Sequence, residues 1–144
     1  GLARAGWHDV PVVAVETEGA ASFRAALEAG RVVSLDRITS IATSLGAKQV
    51  CTEALECARR HPVRNVVVTD RSALNACERF LADHRVLVEP ACGASLALAY
   101  DDHAALEPFG SVLIVACGGV TATIDRIRQW SAERAETDTC YPAG

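Results

Sequence analysis

Three short apolar runs, Val10–Val15, Val63–Thr69 and Ser111–Ala116, limit what this chain can fold into. Val10–Val15 is continuously apolar and suits a strand covered on both sides, Val63–Thr69 reads as a β-branched strand, and Ser111–Ala116 as the last, buried strand. The segments between them carry apolar residues at helical spacing. Ala20–Ala29 stops at Gly30, a residue suited to the left-handed turn that ends a helix. Ser40–Leu45 and Cys51–Arg60 read as two more helical pieces split at Gly46, and Pro62 bars continuation of the second. Asp70 is placed to cap a helix over Arg71–Asp83, on which Leu74, Cys77, Phe80 and Leu81 share a face. Pro90 suits the first turn of a helix running to about His103, and Thr121–Arg134 is the last helix. Glu16–Gly19 reads as a turn, and the polar tail Glu136–Gly144 as frayed.

Strands alternating with helices imply parallel pairing through right-handed crossovers. The expected fold class is α/β, a three-layer arrangement with a parallel sheet of three or four strands and helices on both faces. No repeat, linker or low-complexity stretch divides the 144 residues. That length suits one domain. A net charge of -4 with no basic run argues against nucleic acid or an anionic membrane as partner. No apolar run is long enough to span a bilayer. The 6 cysteines show neither CxxC pairs nor metal-finger spacing. With this much apolar content they read as reduced, cytoplasmic thiols, mostly buried as small hydrophobes. A chain without Met that opens on Gly1-Leu2-Ala3-Arg4 reads as the interior of a longer reading frame or as a trimmed chain.

Candidate chemistry gathers where the third run ends in Cys117-Gly118-Gly119. Open α/β sheets bind ligands at the carboxyl ends of their strands. Two positions without side chains let a backbone approach a flat ligand there. Taken alone, Cys117 reads as a buried strand-end residue; the Gly-Gly context makes it a site candidate. The block Glu89-Pro90-Ala91-Cys92-Gly93-Ala94 reads as structural, with Pro opening a helix and small residues packing it close. His8, His61, His84 and His103 have no ligand-like spacing.

Four blocks carry a family resemblance: Gly1–Ala20; Ile38-Thr39-Ser40-Ile41-Ala42 with Leu45-Gly46-Ala47-Lys48; Leu87–Ala94; and Ile114–Gly119. In order and spacing they resemble the L-serine dehydratase/L-threonine deaminase family, pyridoxal-phosphate enzymes of fold type II, the tryptophan synthase β-like group. The resemblance implies that residues 1–144 are the C-terminal portion of the cofactor-binding large domain. The family's N-terminal part carries the Schiff-base lysine, an asparagine facing the ring hydroxyl and a glycine-rich phosphate loop, and none of these is found here. Lys48, the one lysine, falls in a surface-type Gly-x-Lys segment.

The same resemblance implies that no catalytic residue lies in this chain. It places the cofactor contacts at Cys117, Gly118 and Gly119, with the Cys117 thiol meeting the pyridine nitrogen. It implies a monovalent cation, potassium, held by the Glu16 carboxylate and the carbonyls of Ala20, Leu45 and Ala47. Relatives often carry Asn or Ser after the two glycines, where this chain has Val120-Thr121. The implied activity is loss of water from L-serine or L-threonine, giving pyruvate or 2-oxobutanoate and ammonia. The enzyme would be cytoplasmic, serve amino-acid catabolism and be homodimeric when complete. A cysteine after the last strand sides with the serine-preferring group, since the threonine group more often has Ser-Gly-Gly. The isolated chain is expected to be inactive. The rival reading is a non-catalytic α/β module that binds a small molecule or partner chain and retains the ancestral sheet.

Overall fold

The computed structural model describes residues 1–139, with side chains as far as Glu133. Its elements are β1 (Val12–Thr17), α1 (Ser22–Ala29), α2 (Thr52–Arg60), β2 (Val63–Val68), α3 (Asp70–His84), α4 (Pro90–Tyr100) and α5 (Ile124–Thr139). Short 3-10 turns lie at Ala3–Ala5 and Thr43–Leu45.

β1 and β2 pair in parallel, from Val12 beside Val63 to Thr17 beside Val68. Successive residues of a strand point to opposite faces, which sorts the sheet into two sides. Val13, Val15, Val66 and Val68 turn to one side and pack with Ala73, Ala94 and Leu98 of α3 and α4. Glu16 and Asn65 turn to the other, where Nε of Arg24 in α1 donates to Oδ1 of Asn65 at 2.5 Å. Helices therefore cover both faces of a parallel sheet, as the alternation of elements implies.

A second core joins α3, α4 and α5 through Leu74, Cys77, Cys92, Leu96, Ile127 and Trp130. Gly93 makes the α3–α4 contact possible. A Cβ there would lie 2.0 Å from the Ala73 carbonyl oxygen and 2.6 Å from Cys77 Sγ. α4 opens with Pro90 at its first turn, and α1 ends at Gly30 with φ 64°, both as the sequence implies.

Several expectations are corrected. Ser111–Ala116 is not a strand, and the sheet of the described residues has two strands, not three or four. Leu113 is 91% exposed and Val115 66%, while Ile114 leans on the α3–α5 core. A strand exists only as a pairing, and this run pairs with neither described strand. β1 reaches through Glu16 and Thr17, which were assigned to a turn. The Ser40–Leu45 piece shortens to one 3-10 turn at Thr43–Leu45.

Asp70 does not cap α3. The cap is Thr69, whose side-chain oxygen accepts from the Ser72 amide. The Asp70 carboxylate instead accepts from the Ser40 hydroxyl at 2.5 Å and the Ile41 amide at 3.1 Å, tying the Ser40 loop to α3. The last helix starts at Ile124 rather than Thr121 and runs on to Thr139. Of the predicted tail, residues from Cys140 onward lie outside the described residues. Among the described cysteines only Cys77 and Cys92 are buried; Cys51, Cys57 and Cys117 are exposed. Among the described residues no helix is long and apolar enough to cross a membrane.

Candidate functional site

The first turn of α4 and the segment Cys117–Thr121 are held together by main chain and side chain alike. The Glu89 amide donates to the Gly118 carbonyl at 3.1 Å. Cys92 Sγ accepts from the amides of Cys117 at 3.2 Å and Gly118 at 3.4 Å, and its S–H donates back to the Gly118 carbonyl at 3.2 Å. The Glu89 carboxylate reaches further along the segment. Its Oε2 accepts from the Thr121 hydroxyl at 2.5 Å and the Thr121 amide at 3.3 Å. Its Oε1 accepts from the Ser44 hydroxyl at 2.8 Å, at the 3-10 turn Thr43–Leu45.

Glu89 is 8% exposed. A buried carboxylate is costly unless donors surround it. The Thr121 hydroxyl, with the Ser44 hydroxyl and the Thr121 amide, holds the Glu89 carboxyl below the usual carboxylate range against the opposing push of burial. Nearby, burial pushes the Cys77 thiol up to about 12, with the neighbouring Cys92 adding to it and the Gly93 amide partly offsetting it. Cys77 is therefore an inert core thiol.

The two candidate glycines differ. A Cβ on Gly119 would lie 2.5 Å from the Leu87 carbonyl oxygen, so that position is already claimed by the chain leading into α4. A Cβ on Gly118 would meet nothing within 4 Å. Cys117 is exposed beside it. The open surface thus consists of the Cys117 thiol and the bare Cα of Gly118, while Gly119 serves the packing beneath. Just ahead of them, Val112, Ile114 and Ala116 form one wall of a cleft of about 450 Å³ against Phe80, Leu96 and Tyr100.

The second candidate cluster lies at the carboxyl end of β1. The Glu16 carboxylate caps α1, with Oε1 accepting from the Phe23 amide at 2.8 Å and Oε2 from the Arg24 amide at 2.9 Å. Oε2 also accepts from Asn65 Nδ2 at 3.0 Å. Oε1 carries one hydrogen bond and keeps a lone pair, so capping does not exhaust this carboxylate. The turn leading to Ala20 docks on the Thr39–Ser40 stretch. The Thr39 amide donates to the Gly19 carbonyl at 3.0 Å, and the hydroxyls of Thr17 and Ser40 meet at 2.7 Å.

From Ser40 the chain leads directly into Leu45 and Ala47. The Leu45 carbonyl accepts from the Ala47 amide at 2.9 Å. Among the described residues the carbonyls of Ala20 and Ala47 accept no hydrogen bond. No three His, Cys, Asp or Glu side chains of the described residues cluster as a metal site. A cation at this place would depend on one carboxylate and main-chain oxygens, a donor set suited to a hard ion of low charge.

The sequence names Cys117, Gly118 and Gly119 as candidates and reads the Glu89–Ala94 block as structural, without showing that Ser44 and Thr121 meet Glu89. One signal was available: an acidic residue immediately before a helix-opening Pro, within an apolar stretch, needs donors from elsewhere. Those donors are 45 and 32 residues away along the chain. Lys48 is exposed, and its Nζ donates to the Asp36 carbonyl at 2.7 Å.

A family model described as pyridoxal-phosphate dependent enzyme matches residues 1–118. A rat protein named serine dehydratase-like is 48% identical over 137 residues, covering 90% of this chain and 42% of the relative. The human L-serine dehydratase/L-threonine deaminase is 44% identical over 136 residues, covering 89% of this chain and 42% of the relative. In the crystal structure of a fungal L-serine ammonia-lyase from Rhizomucor miehei the fold recurs with a TM-score of 0.82 at 35% identity, over 92% of this chain and 44% of that one. This chain thus spans about two-fifths of the length of the relatives it matches.

Proposed function

This chain belongs to the pyridoxal-phosphate-dependent enzyme family, and from that premise we propose that it forms the C-terminal portion, residues 1–144, of the cofactor-binding large domain of an L-serine (L-threonine) ammonia-lyase. The observation that carries the reading is the open pair at the head of the clamped segment: an exposed Cys117 thiol beside a Gly118 with free space over its Cα. A flat aromatic group needs such an approach, and a pyridine nitrogen accepts the S–H of a thiol. The residues present fit one edge of the cofactor. Pyridoxal phosphate, when bound, supplies an electron sink for chemistry at the α-carbon of an amino acid.

Within this chain Cys117 would face the ring nitrogen, and a neutral thiol, unlike a carboxylate, offers no negative charge to hold that nitrogen protonated. That favours elimination over transamination. Gly118 admits the ring edge. Glu16, with the carbonyls of Ala20, Leu45 and Ala47, is the proposed potassium site, which orders the loops behind the cofactor and takes no part in proton transfer. The amine that moves the substrate's α-proton would come from outside this chain, whose one lysine, Lys48, is exposed in a surface-type Gly-x-Lys segment and donates to the Asp36 carbonyl. The 144 residues alone are therefore inactive. The reading includes a homodimeric, cytoplasmic complete enzyme of amino-acid catabolism with L-serine as the preferred substrate.

The experiment assays pyruvate from L-serine and 2-oxobutanoate from L-threonine. The complete enzyme is expected to take up pyridoxal phosphate and turn over both, and to lose activity when potassium is exchanged for lithium. The 144-residue chain with pyridoxal phosphate is expected to give no product above free cofactor. Turnover by the chain alone would overturn its assignment as a fragment, and a complete protein that takes up no cofactor would overturn the whole reading.

A further inference from the structure

We propose that Glu89 and Cys92 are positioning residues that fix the Cys117–Thr121 segment so that the Cys117 thiol and the bare Cα of Gly118 face the cofactor ring. The inference rests on the functional reading above. It adds two buried side chains that neither touch the cofactor nor enter the reaction.

The segment needs an external support. The run that precedes it, Val112–Ala116, pairs with neither described strand. The constraint comes from α4. Both main-chain polar groups of Gly118 are bonded to its first turn, the amide to Cys92 Sγ and the carbonyl to the Glu89 amide and the Cys92 thiol. The Cys117 amide also ends on Cys92 Sγ. These bonds fix the peptide planes on both sides of Gly118, and with them the direction in which Cys117 projects.

Glu89 fixes the other end of the segment at Thr121 and links it through Ser44 to the turn Thr43–Leu45. A buried carboxylate contributes less to packing than an apolar side chain of the same shape. Its donors come from two loops rather than from its own helix, and it makes no capping bond within α4. That is the arrangement of a group that joins loops. Cys77 provides the contrast. It lies in the same core as Cys92 and is just as buried, yet no hydrogen bond links it to the Cys117–Thr121 segment.

The test uses the complete enzyme with Glu89→Gln, Cys92→Ala, Thr121→Val and, as control, Cys77→Ala. Two quantities are read beside the thermal midpoint: amide hydrogen exchange across residues 117–121 in the cofactor-free enzyme, and the dissociation constant of pyridoxal phosphate from its fluorescence. Glu89→Gln turns an N–H donor toward groups that themselves donate, and loss of a charge-assisted bond corresponds to about 10-fold weaker cofactor binding with faster exchange in the segment. Cys92→Ala is expected to act in the same direction. Thr121→Val removes one bond from an exposed position and is expected to weaken binding ~5-fold. Cys77→Ala is expected to lower the thermal midpoint and leave both other readings at wild type.

If Glu89→Gln and Cys92→Ala lower only the midpoint, as Cys77→Ala does, the inference is overturned. Should both fail to fold, Thr121→Val decides, and wild-type affinity and exchange in that variant overturn it. A wild-type complete enzyme that binds no pyridoxal phosphate overturns the functional reading and this inference with it. Normal binding in the wild type, with the Glu89 and Cys92 variants indistinguishable from it, overturns the inference alone.

Discussion

Val12-Val13-Ala14-Val15 and Val112-Leu113-Ile114-Val115 have nearly the same character, yet the first lies in β1 and the second lies unpaired on the surface. β1 has β2 beside it over six residue pairs and α4 beneath Val13 and Val15. The later run leans on the core at Ile114, with Leu113 almost fully in solvent. Apolar β-branched residues make a strand possible, but the backbone bonds of a neighbour make it a strand. The segment that follows the unpaired run is nevertheless well held, because α4 supplies the bonds a sheet would have given. Among the described residues this segment is held by a helix start.

Four outcomes break or sharpen this contrast. The largest effect is expected inside the packed region, where Leu74→Ala should cost about 3 kcal/mol in a denaturant titration, whereas Leu113→Ala in the same chain should stay within ~0.5 kcal/mol. Equal costs would mean that the Val112–Ala116 run is buried in solution. Next comes the glycine pair. Gly93→Ala forces a Cβ against the Ala73 carbonyl and should cost about 2 kcal/mol, while Gly118→Ala should leave stability unchanged within ~0.5 kcal/mol. In the complete enzyme Gly118→Ala should instead weaken cofactor uptake. Unaltered uptake would remove Gly118 from the site.

The third outcome concerns pH. The Cys77 thiol ionises at about 12 when folded against an ordinary 9.0. Between those values the unfolded chain has lost a proton that the folded chain keeps, so stability must fall as pH rises through that window. The slope should reach at most ~1.4 kcal/mol per pH unit, and Cys77→Ala should remove this contribution. A slope unchanged in that variant would mean that the thiol is not buried as described. The carboxyl of Glu89, held low, has the opposite sign, and its contribution is present above the ordinary carboxylate range and lost on acidification. The smallest effect is local: Thr69→Ala should cost about 1 kcal/mol by removing the cap of α3, and Asp70→Ala should act through the Ser40 loop instead.

Where a signal was local, the sequence was legible. Pro90 at a first helical turn, Gly30 at a left-handed cap and the β-branched Val63–Val68 were readable because the residue itself restricts its backbone. The sequence points to Asp70 as the cap of α3 and misses Thr69 beside it, which can cap as well. The choice fell to Thr69 because Asp70 finds Ser40 and Ile41, 30 and 29 residues away. Cys117 stands out as a candidate through its Gly-Gly context. Its supports do not, because Glu89 and Cys92 also serve as ordinary members of a tightly packed helix start.

The order of residues along the chain thus determined the Pro90 start of α4, the Gly30 end of α1 and the places of the two paired strands, all of which follow from restrictions acting over a few neighbouring bonds. Tertiary structure alone decided which apolar run became a strand, which glycine was left open, and that a carboxylate and a thiol on α4 would grip a segment 25 to 32 residues further on. Those outcomes depend on which groups meet in space, and a buried donor or acceptor takes whatever partner the fold brings to it.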